Sequence, residues 1–403
     1  MQVKQINKKL AIDGGKSSAE KIIPFNRASI GEEEKAEMIA TLESGWITKG
    51  PRTKKFEANF AGYVKAKHAV GVFSCTSAIH LALMIAGIKE GDEVITTPIT
   101  FPSVINEIVH CHAEPVFVDV EPDTLNINAD KIEEKITEKT KAIIPVHFSG
   151  YPCDMDKIME LAKKYNLTVI EDAAHAVETE YKGRKVGSIG DMTCFSFYAT
   201  KNITTGEGGM FTTNNPEYAK MADILSLHGM TQDAWKRYSD EEGFKHWDIV
   251  YPGYKCNMFD IQAALGLTQL KKIDKLWEMR KKVYERYNEA FAGFPDIIIP
   301  PPAEIKDMKL AYHLYIIQVK TENLKASRDM VINALTKENI GIGIHFRSIF
   351  SHPYFKDFKK EEYPNADYIG DRVISLPLYP SLSEKDQDTV IEAVKKVVSY
   401  YRK

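Results

Sequence analysis

The chain contains no C-x-x-C pair, no basic excess and no long apolar run. Its five cysteines are odd in number and widely spaced, which argues against a disulfide framework and against a zinc site. We therefore expect no metal ion, and we expect the cysteines to be small buried residues. A formal net charge of −3 provides no basic excess of the kind that binds nucleic acid, so no nucleic-acid partner is expected.

No stretch approaches the ~20 apolar residues that are needed to cross a bilayer. The first residues, MQVKQINKKLAIDGGKSS, are basic, but the apolar segment of a signal peptide does not follow them. We expect a cytoplasmic protein without membrane contact. At 403 residues, the chain is long enough for two domains and a large buried core.

From about residue 68 to 215, short β-rich runs alternate with helical patterns. The candidate strands are HAVGVF, DEVITTPI, EPVFVDV, KAIIPVHF, LTVIED, MTCFSF and GGMFTTN, and the candidate helices include SAIHLALMIAG and CDMDKIMELAKKY. Apolar strands separated by helices are typical of a mostly parallel sheet that is covered on both faces. The first two thirds of the chain is therefore predicted to be an α/β domain.

After Asn257 the sequence changes to one long helical pattern, FDIQAALGLTQLKKIDKLWEMRKKVYERYNEAF, which ends at Gly293 and a proline cluster. A helix of this length commonly links domains. A strand AYHLYIIQVK, a helix around SRDMVINALTKEN, a second strand GIGIHF and a closing helix from about Ser383 then predict a smaller α+β domain. We place a large domain with an N-terminal arm at 1–270, and the linking helix and small domain at 271–403.

Polar residues at the carboxyl ends of the strands are the first candidates for a site, because ligands of an open parallel sheet collect there. In FSCTSAIHLALMIAG, Thr76 and Ser77 follow a strand and open a helix, so hydroxyl and backbone N–H groups predict an anion site. In LTVIEDAAHAVE, Asp172 ends a strand and His175 follows one turn later. Helix capping is the simpler alternative in both places.

Two further strand ends complete this set. PITFPS places Phe101 where an aromatic face could cover a flat ligand, although most such residues belong only to the core. In FSFYATKNITTGEGGM, Ser196 ends a strand and Lys201 follows. A lysine in apolar surroundings has a lowered pKa and attacks carbonyls, whereas a solvated loop lysine is the alternative. Anion site, aromatic cover, carboxylate and lysine together meet the needs of a pyridoxal phosphate pocket.

Ordered motifs along nearly the whole chain carry a family resemblance. They are SGWITKGPRTKKFE, TSAIHLAL, EDAAHA, SFYATKNITTGEGG, LHGM, YKCNMFDIQAALGLTQL, HFRS and LPLYP. With them the sequence resembles the DegT-type (DegT/DnrJ/StrS) nucleotide-sugar aminotransferases, a branch of the fold-type-I pyridoxal phosphate enzymes. The resemblance implies an α/β fold with a mostly parallel mixed sheet sandwiched by helices, and a smaller α+β C-terminal domain.

The resemblance also implies a role for each matching residue. Lys201 would form the Schiff base with pyridoxal 5'-phosphate and move the proton during transfer. Asp172 would hold the pyridine nitrogen, and Phe101 would stack on the ring. His175 would lie near the phenolic oxygen, where many relatives have glutamine. The phosphate would be bound by Thr76, Ser77 and Ser196.

Two other positions bear on this pocket. The asparagine that matches Asn257 reaches the phosphate of the neighbouring subunit's cofactor in the family, which implies a homodimer with shared active sites. Cys75 stands where relatives usually have glycine or alanine. We expect a small packing change there and no catalytic thiol.

The implied substrates are a nucleotide-linked 4-keto sugar as acceptor and an amino acid, glutamate, as donor. His345 and Arg347 in GIGIHFRSIF are expected near the acceptor because a guanidinium suits phosphate or carboxylate, although a surface salt bridge is the alternative for the arginine. Thr48 and Lys49 in WITKG are candidates for the same role by family position. The motifs are most similar to those of aminotransferases that make UDP-4-amino-4-deoxy-arabinose or related UDP-4-amino sugars for bacterial envelopes. A 4-keto-6-deoxy-N-acetylhexosamine or a GDP-linked keto sugar would fit the same motifs.

Two other functions are possible on this fold. Some relatives are nucleotide-sugar 3-dehydratases, which replace the Schiff-base lysine by histidine, so Lys201 favours transamination. A non-catalytic, ligand-sensing relative would be expected to have lost Lys201 or Asp172, and this chain has both.

Overall fold

The computed structural model describes residues 9–231, 246–355, 358 and 360–403. The strands are β1 (His68–Val72), β2 (Glu93–Thr96), β3 (Glu114–Phe117), β4 (Thr140–Ile143), β5 (Thr168–Asp172), β6 (Glu180–Tyr181), β7 (Arg184–Lys185), β8 (Met192–Ser196), β9 (Gly209–Thr213), β10 (Ile298–Ile299), β11 (Met308–Lys309), β12 (Tyr315–Val319) and β13 (Val373–Leu376).

The helices of the described residues surround these strands. They are α1 (Glu32–Glu43), α2 (Pro51–Val64), α3 (Cys75–Ile85), α4 (Ser103–His110), α5 (Met155–Tyr165), α6 (Pro216–Ser226), α7 (Asp260–Lys271), α8 (Ile273–Phe291), α9 (Arg328–Lys337), α10 (Pro364–Gly370) and α11 (Glu384–Tyr401). None of the helices in the described part of the chain is long and apolar enough to span a membrane.

The central sheet has seven strands in the order β1-β9-β8-β5-β4-β2-β3. Strand β9 runs antiparallel to both of its neighbours, and the other pairs are parallel. All residues of β8 and β9 are buried, so neither strand shows the alternation of buried and exposed residues that a sheet with one solvated face would have. The mostly parallel mixed sheet predicted from the sequence is confirmed.

The small C-terminal sheet has the order β10-β12-β13, with antiparallel pairing. The predicted strand GIGIHF is wrong, because only Gly343 of this segment pairs there, in an isolated bridge to Ser375. A Cβ on Gly341 would lie 2.5 Å from the backbone nitrogen of Phe25, so the segment packs against the N-terminal chain at backbone distance. The strand that pairs with β12 on its other side is β13.

The single long helix predicted after Asn257 is also wrong. The chain forms two helices, α7 and α8, which meet at Lys272, where φ is −113° and ψ is 10°. Helix α7 packs against α1 and α2, whereas the apolar side chains of α8 join the core of the C-terminal domain. Because both helices are apolar on their packed faces, the hydrophobic pattern continues through the bend.

Part of the N-terminal arm lies on the small domain. Leu10, Ala19 and Ile23 belong to the same buried cluster as the residues of β12 and α11, and Ile23 forms a bridge with Ile340. The segment from residue 10 to 23, which we expected as an arm of the large domain, is therefore tied to the C-terminal one.

Candidate active site

A cavity of about 440 Å³ opens at the carboxyl edge of the central sheet. The loops that follow β1, β2, β4, β5 and β8 form its walls, together with His313 just before β12 and with His345 and Phe346, which follow α9. Of the residues singled out in the sequence, the structure brings together Thr76, Phe101, Asp172, His175, Ser196, Lys201 and His345. Parallel strands end at the same edge, so residues far apart in sequence meet here.

The remaining candidates lie away from this cavity. Thr48 and Asn257 line a separate cavity of about 370 Å³, and Lys255, which also lines it, donates to Asn257 Oδ1 at 2.6 Å. Lys49 is buried, and its ammonium group forms ion pairs with Asp223 and, at 3.9 Å, with Glu57. These ion pairs give the lysine a structural role within its own chain, and the structure does not bring it to the cofactor cavity.

Two further candidates are also outside the cavity lining. Arg347 is exposed, and its Nη2 donates to the backbone oxygen of Ser351 at 3.2 Å. Ser77 lies one turn into α3, and its Oγ is 3.0 Å from Ser74 Oγ. The N-cap of α3 is Ser74, whose Oγ accepts from the Ser77 backbone N–H at 3.0 Å. The sequence reasoning missed Ser74, although a serine just before an apolar helix is an N-cap signal.

The N-terminus of α3 forms the anion-binding end of the cavity. Ser74, Cys75 and Thr76 line it there, and Ser196 lines it from the end of β8. Gly209, the first residue of β9, lets this strand lie close to the start of α3, because a Cβ on it would be 2.4 Å from the Ser74 carbonyl carbon and 2.6 Å from the Cys75 nitrogen. Helix N-termini carry partial positive charge and unpaired N–H groups, so this end suits a phosphate.

Lys201 and Asp172 both line the cavity, and the charge of each affects the pKa of the other. Burial lowers the pKa of Lys201 to about 8, against the opposing influence of the Asp172 charge. Burial raises the pKa of Asp172, although the Ala174 N–H bond at 3.0 Å and the Lys201 charge oppose that rise. A substantial fraction of Lys201 is therefore neutral near pH 8, which is the form that attacks a carbonyl.

Three histidines surround the lysine. Burial, and then the positive charge of Lys201, lower the pKa of His345 to about 4 and the pKa of His175 well below its usual value. Burial lowers the pKa of His313 in the same way. His175 Nδ1 accepts from the Ser149 backbone N–H at 3.2 Å, so its proton is on Nε2. Neutral imidazoles here can donate or accept hydrogen bonds without repelling the lysine.

The residues of the cavity fit pyridoxal phosphate. Phe101 is 58% exposed on the wall, so a flat ring could cover its face. Thr100 Oγ1 is buried at the wall without a hydrogen-bond partner among the described residues. Asp172 directs Oδ1 at the Ala174 N–H, and no bond from the described residues reaches Oδ2, which leaves that oxygen for a ring nitrogen.

The thiol of Cys75 lies beside this carboxylate. Its Sγ is 3.8 Å from Asp172 Oδ1 and 3.4 Å from the Cys194 carbonyl oxygen. Burial and then the Asp172 charge raise the pKa of Cys75 well above its usual value. The thiol therefore stays protonated and unreactive, in keeping with the expectation that it changes only packing.

The sequence reasoning also missed several lining residues. Tyr198 and Glu207 lie on either side of Lys201 in the sequence, and Phe346 follows His345. His313 lines the cavity just before β12, in the segment AYHLYIIQVK, for which the sequence predicts only a strand. A histidine in an otherwise apolar run was the available signal. The sequence does not tell whether such a histidine lies in the core or lines a cavity, because that depends on how distant segments pack against it.

The model of the DegT/DnrJ/EryC1/StrS aminotransferase family matches residues 28–395. The spore coat polysaccharide biosynthesis protein SpsC of Bacillus subtilis is 50% identical over 380 residues, which cover 93% of this chain and 97% of that protein.

Solved structures share the same fold. Spr1654 of Streptococcus pneumoniae, assigned as a sugar aminotransferase, is 38% identical in its PMP form, with a TM-score of 0.86 over 94% of this chain and 99% of that one. A PLP form of it is also known. PseC of Helicobacter pylori, an aminotransferase involved in the biosynthesis of pseudoaminic acid, is 28% identical, with a TM-score of 0.87 over 94% of this chain and 100% of that one.

These similarities extend over nearly the whole chain and confirm the fold-type-I architecture that the resemblance implied. The chain belongs to the DegT/DnrJ/EryC1/StrS aminotransferase family, whose members depend on pyridoxal phosphate.

Proposed function

We propose that this enzyme transfers an amino group from glutamate to a nucleotide-linked 4-keto sugar, with UDP as the nucleotide. The product would be a 4-amino sugar nucleotide for a cell-envelope or coat polysaccharide. The observation that carries the proposal is Lys201, which lines the cavity with Asp172 and has a pKa lowered to about 8. The relation to a spore coat polysaccharide protein supports a sugar as acceptor.

The chain's own residues would hold the cofactor as follows. The N-terminus of α3 with Ser74 and Thr76, and Ser196 from β8, would bind the phosphate. Asp172 would pair with the ring nitrogen, and Phe101 would cover the ring. When bound, pyridoxal phosphate supplies an aldehyde that takes up the amino group and a ring that withdraws electrons from the reacting carbon.

Lys201 Nζ is the group that moves the proton. In the first half of the reaction it removes the proton from Cα of the amino donor, and in the second half it delivers a proton to the carbon that bore the keto oxygen of the sugar. Its pKa of about 8 suits both tasks near neutral pH, because a base and an acid of that strength interconvert readily.

Of the four residues proposed to contact the acceptor, His345 is the one that lines this cavity, which supports its proposed role. Its Nδ1 lies 2.8 Å from Ser375 Oγ, which fixes the ring plane. The roles of Arg347, Thr48 and Lys49 toward the acceptor stay predictions from the family resemblance. The cytoplasmic location also stays a prediction.

A homodimer with shared sites is part of the proposal. Asn257 is separated from the cofactor cavity of its own chain and lines the cavity of about 370 Å³ with Phe73, which is 45% exposed. Segment 247–254 adds large exposed apolar side chains, namely Trp247, Ile249, Val250, Tyr251 and Tyr254. Exposed apolar surface of this extent commonly marks an interface, and a partner chain would bring its cofactor to Asn257.

The dehydratase and the ligand-sensing alternatives stay less favoured. A sensor has no need of a lysine with a lowered pKa opposite a buried carboxylate, and a dehydratase of this family would have histidine in place of Lys201.

The test uses purified protein and a panel of UDP-, GDP- and dTDP-linked keto sugars. Borohydride should attach the cofactor to the peptide that contains Lys201, as read by mass spectrometry. Enzyme that has first taken the amino group from glutamate should regain its yellow absorbance on addition of the right keto sugar. Lys201→Ala should lose both signals, and Lys163→Ala, an exposed lysine on α5, should keep both.

A protein that takes up no pyridoxal phosphate, or that reacts with glutamate but with no keto sugar, would contradict the proposal. Release of a deoxygenated sugar without consumption of glutamate's amino group would instead favour the dehydratase.

A further inference from the structure

A chain of buried polar groups runs from Glu178 through Asn202 to His313 and ends at the cavity. Asn202 Nδ2 donates to Glu178 Oε2 and to the Ala311 carbonyl oxygen, both at 2.8 Å. Because the Ala311 carbonyl can only accept, the amide nitrogen must face these two groups. Asn202 Oδ1 then faces His313 Nδ1 at 2.8 Å.

The tautomer of His313 follows from this arrangement. An amide oxygen can only accept, so His313 Nδ1 carries the proton, and burial lowers the pKa of His313 so that the ring holds only this one. Its Nε2 is therefore a lone-pair acceptor. No hydrogen bond from the described residues reaches Nε2, and His313 lines the cavity.

His175 has the opposite tautomer in the same wall. Its Nδ1 accepts from Ser149, so its Nε2 is the donor. The two rings lie 4.4 Å apart between centroids with an angle of 31°. The wall beside Lys201 thus presents one imidazole donor and one imidazole acceptor.

Further buried contacts hold this series of hydrogen-bonded side chains in place. Glu178, Asn202 and His313 are all buried, and Arg280 Nη1 donates to the backbone oxygens of His313 and Leu378, both at 3.4 Å. Arg280 therefore holds the backbone of His313, while the bonds of Asn202 to the Ala311 carbonyl and to His313 Nδ1 join this segment to the residue after Lys201. If His313 served only to pack the two parts of the chain together, its Nε2 would not be expected at the cavity wall without a hydrogen-bond partner among the described residues.

We propose that His313 Nε2 accepts a hydrogen bond from a hydroxyl of the keto-sugar acceptor, and that Asn202 and Glu178 are positioning residues which hold His313 in the required tautomer. This inference rests on the proposed function and deepens it, because it names a residue that recognises the acceptor and not the amino donor.

The first test reads the tautomer and needs no sugar. In holoenzyme labelled with ¹⁵N-histidine, the ring nitrogens report which one carries the proton. The signal that disappears in His313→Asn, or in His313→Gln where the first variant does not fold, should have its proton on Nδ1. Asn202→Ala should shift that signal toward the Nε2–H form. A proton on Nε2 in the unmodified enzyme would overturn the proposal.

The second test separates the half-reactions. Asparagine can replace the Nδ1 side of the ring but not Nε2, so His313→Asn should raise the acceptor KM about tenfold, the effect of one lost hydrogen bond. The half-reaction with glutamate should change by less than about twofold on the same argument, because its donor makes no such bond. His313→Gln, whose amide extends further, should recover part of the loss. His112→Asn is the matched control, since His112 is exposed and has φ of 59°, which asparagine tolerates.

An unchanged acceptor KM in His313→Asn would overturn the proposal, as would an equal loss in both half-reactions, which indicates a structural role only. A wild-type enzyme that takes the amino group from glutamate but passes it to no keto sugar would overturn the proposed function. In that case the tautomer measurement still decides whether the hydrogen-bonded chain exists.

Discussion

At the scale of single residues, Lys201 and Asp172 set each other's protonation. Loss of hydration in the cavity wall lowers the pKa of the lysine, and the charge of Asp172 opposes this change. The resulting pKa of Lys201 is about 8. The same burial raises the pKa of Asp172, which the lysine charge opposes. A buried pair of this kind is costly for folding, so its presence at a cavity indicates a chemical role.

The pH dependence of cofactor capture follows from these values. In apo-protein, the rate at which Lys201 reacts with added pyridoxal phosphate should rise with pH through about 8, because only the neutral amine attacks. An ordinary lysine would give a midpoint near roughly 10.4. Borohydride trapping at a series of pH values measures this rate.

Asp172→Asn provides the control for that profile. Removal of the carboxylate charge should move the midpoint below that of the wild type, since Asp172 raises the pKa of Lys201. A midpoint that rises, or that stays near the value of a free lysine in both proteins, would contradict the assignment of these two groups.

At the scale of elements, the anion-binding end depends on the contact between β9 and the start of α3. The N-cap bond from Ser77 to Ser74 orders the first turn of the helix, and Gly209 allows the strand backbone to lie directly against it. The glycines after Lys201 therefore serve close packing around the site, at least at position 209.

Gly209→Ala should disturb this contact. The added Cβ would lie under 3 Å from backbone atoms of Ser74 and Cys75, which cannot move aside like a side chain. We expect a loss of about 1–3 kcal/mol in the free energy of unfolding and weaker cofactor binding, measured by denaturant unfolding and by titration of apo-protein. Gly62→Ala in α2, where nothing lies within 4 Å, should leave both unchanged or slightly improved.

Glu338 fastens the N-terminal segment to the small domain. Its fully buried carboxylate accepts from the Ala11 and Ser18 backbone N–H groups at 2.9 and 2.8 Å, and from Lys396 Nζ at 2.8 Å. Burial alone would raise the pKa of Glu338, but the bonds from Lys396, Ala11 and Ser18 outweigh it and lower the pKa. This stabilisation is therefore present above the unfolded pKa and lost as the pH falls through the lowered folded value.

Glu338→Ala should lower the free energy of unfolding by about 3–5 kcal/mol, because Lys396 is left as a buried, unpaired cation. Addition of Lys396→Met should recover part of that loss. Thermal unfolding of the two variants at neutral pH provides the measurement. Equal stability of Glu338→Ala and wild type would show that the segment is not held by this group.

At the scale of the whole molecule, residues from distant parts of the chain line the cavity. Lys201 and Asp172 come from the large domain, while His313 and His345 approach from the C-terminal one. Asn257 lines a different cavity, so one chain alone does not bring all of the expected cofactor contacts together. A second copy of the chain would supply the missing contact in the proposed homodimer.

Mixing inactive homodimers of Lys201→Ala and Asn257→Ala tests this arrangement. In a heterodimer, one site would combine Lys201 of one chain with Asn257 of the other and regain activity, while the second site would carry both lesions. If Asn257 served only its own chain, both sites would stay inactive. Recovered activity after subunit exchange, compared with each homodimer exchanged with itself, is the measurement.

The alternation of apolar strands and amphipathic helices was enough to predict the α/β sheet, because buried strands and one-sided helices impose different periods on the chain. The strand ends likewise identified Lys201, Asp172 and Phe101, since parallel strands deliver their last residues to one edge. The bend at Lys272, the missing strand at GIGIHF and the tie between the N-terminal segment and Glu338 could not be predicted this way. They depend on which surfaces meet after folding. The same holds for His313, whose tautomer and position at the cavity result from Asn202 and Glu178, residues distant from it in the sequence.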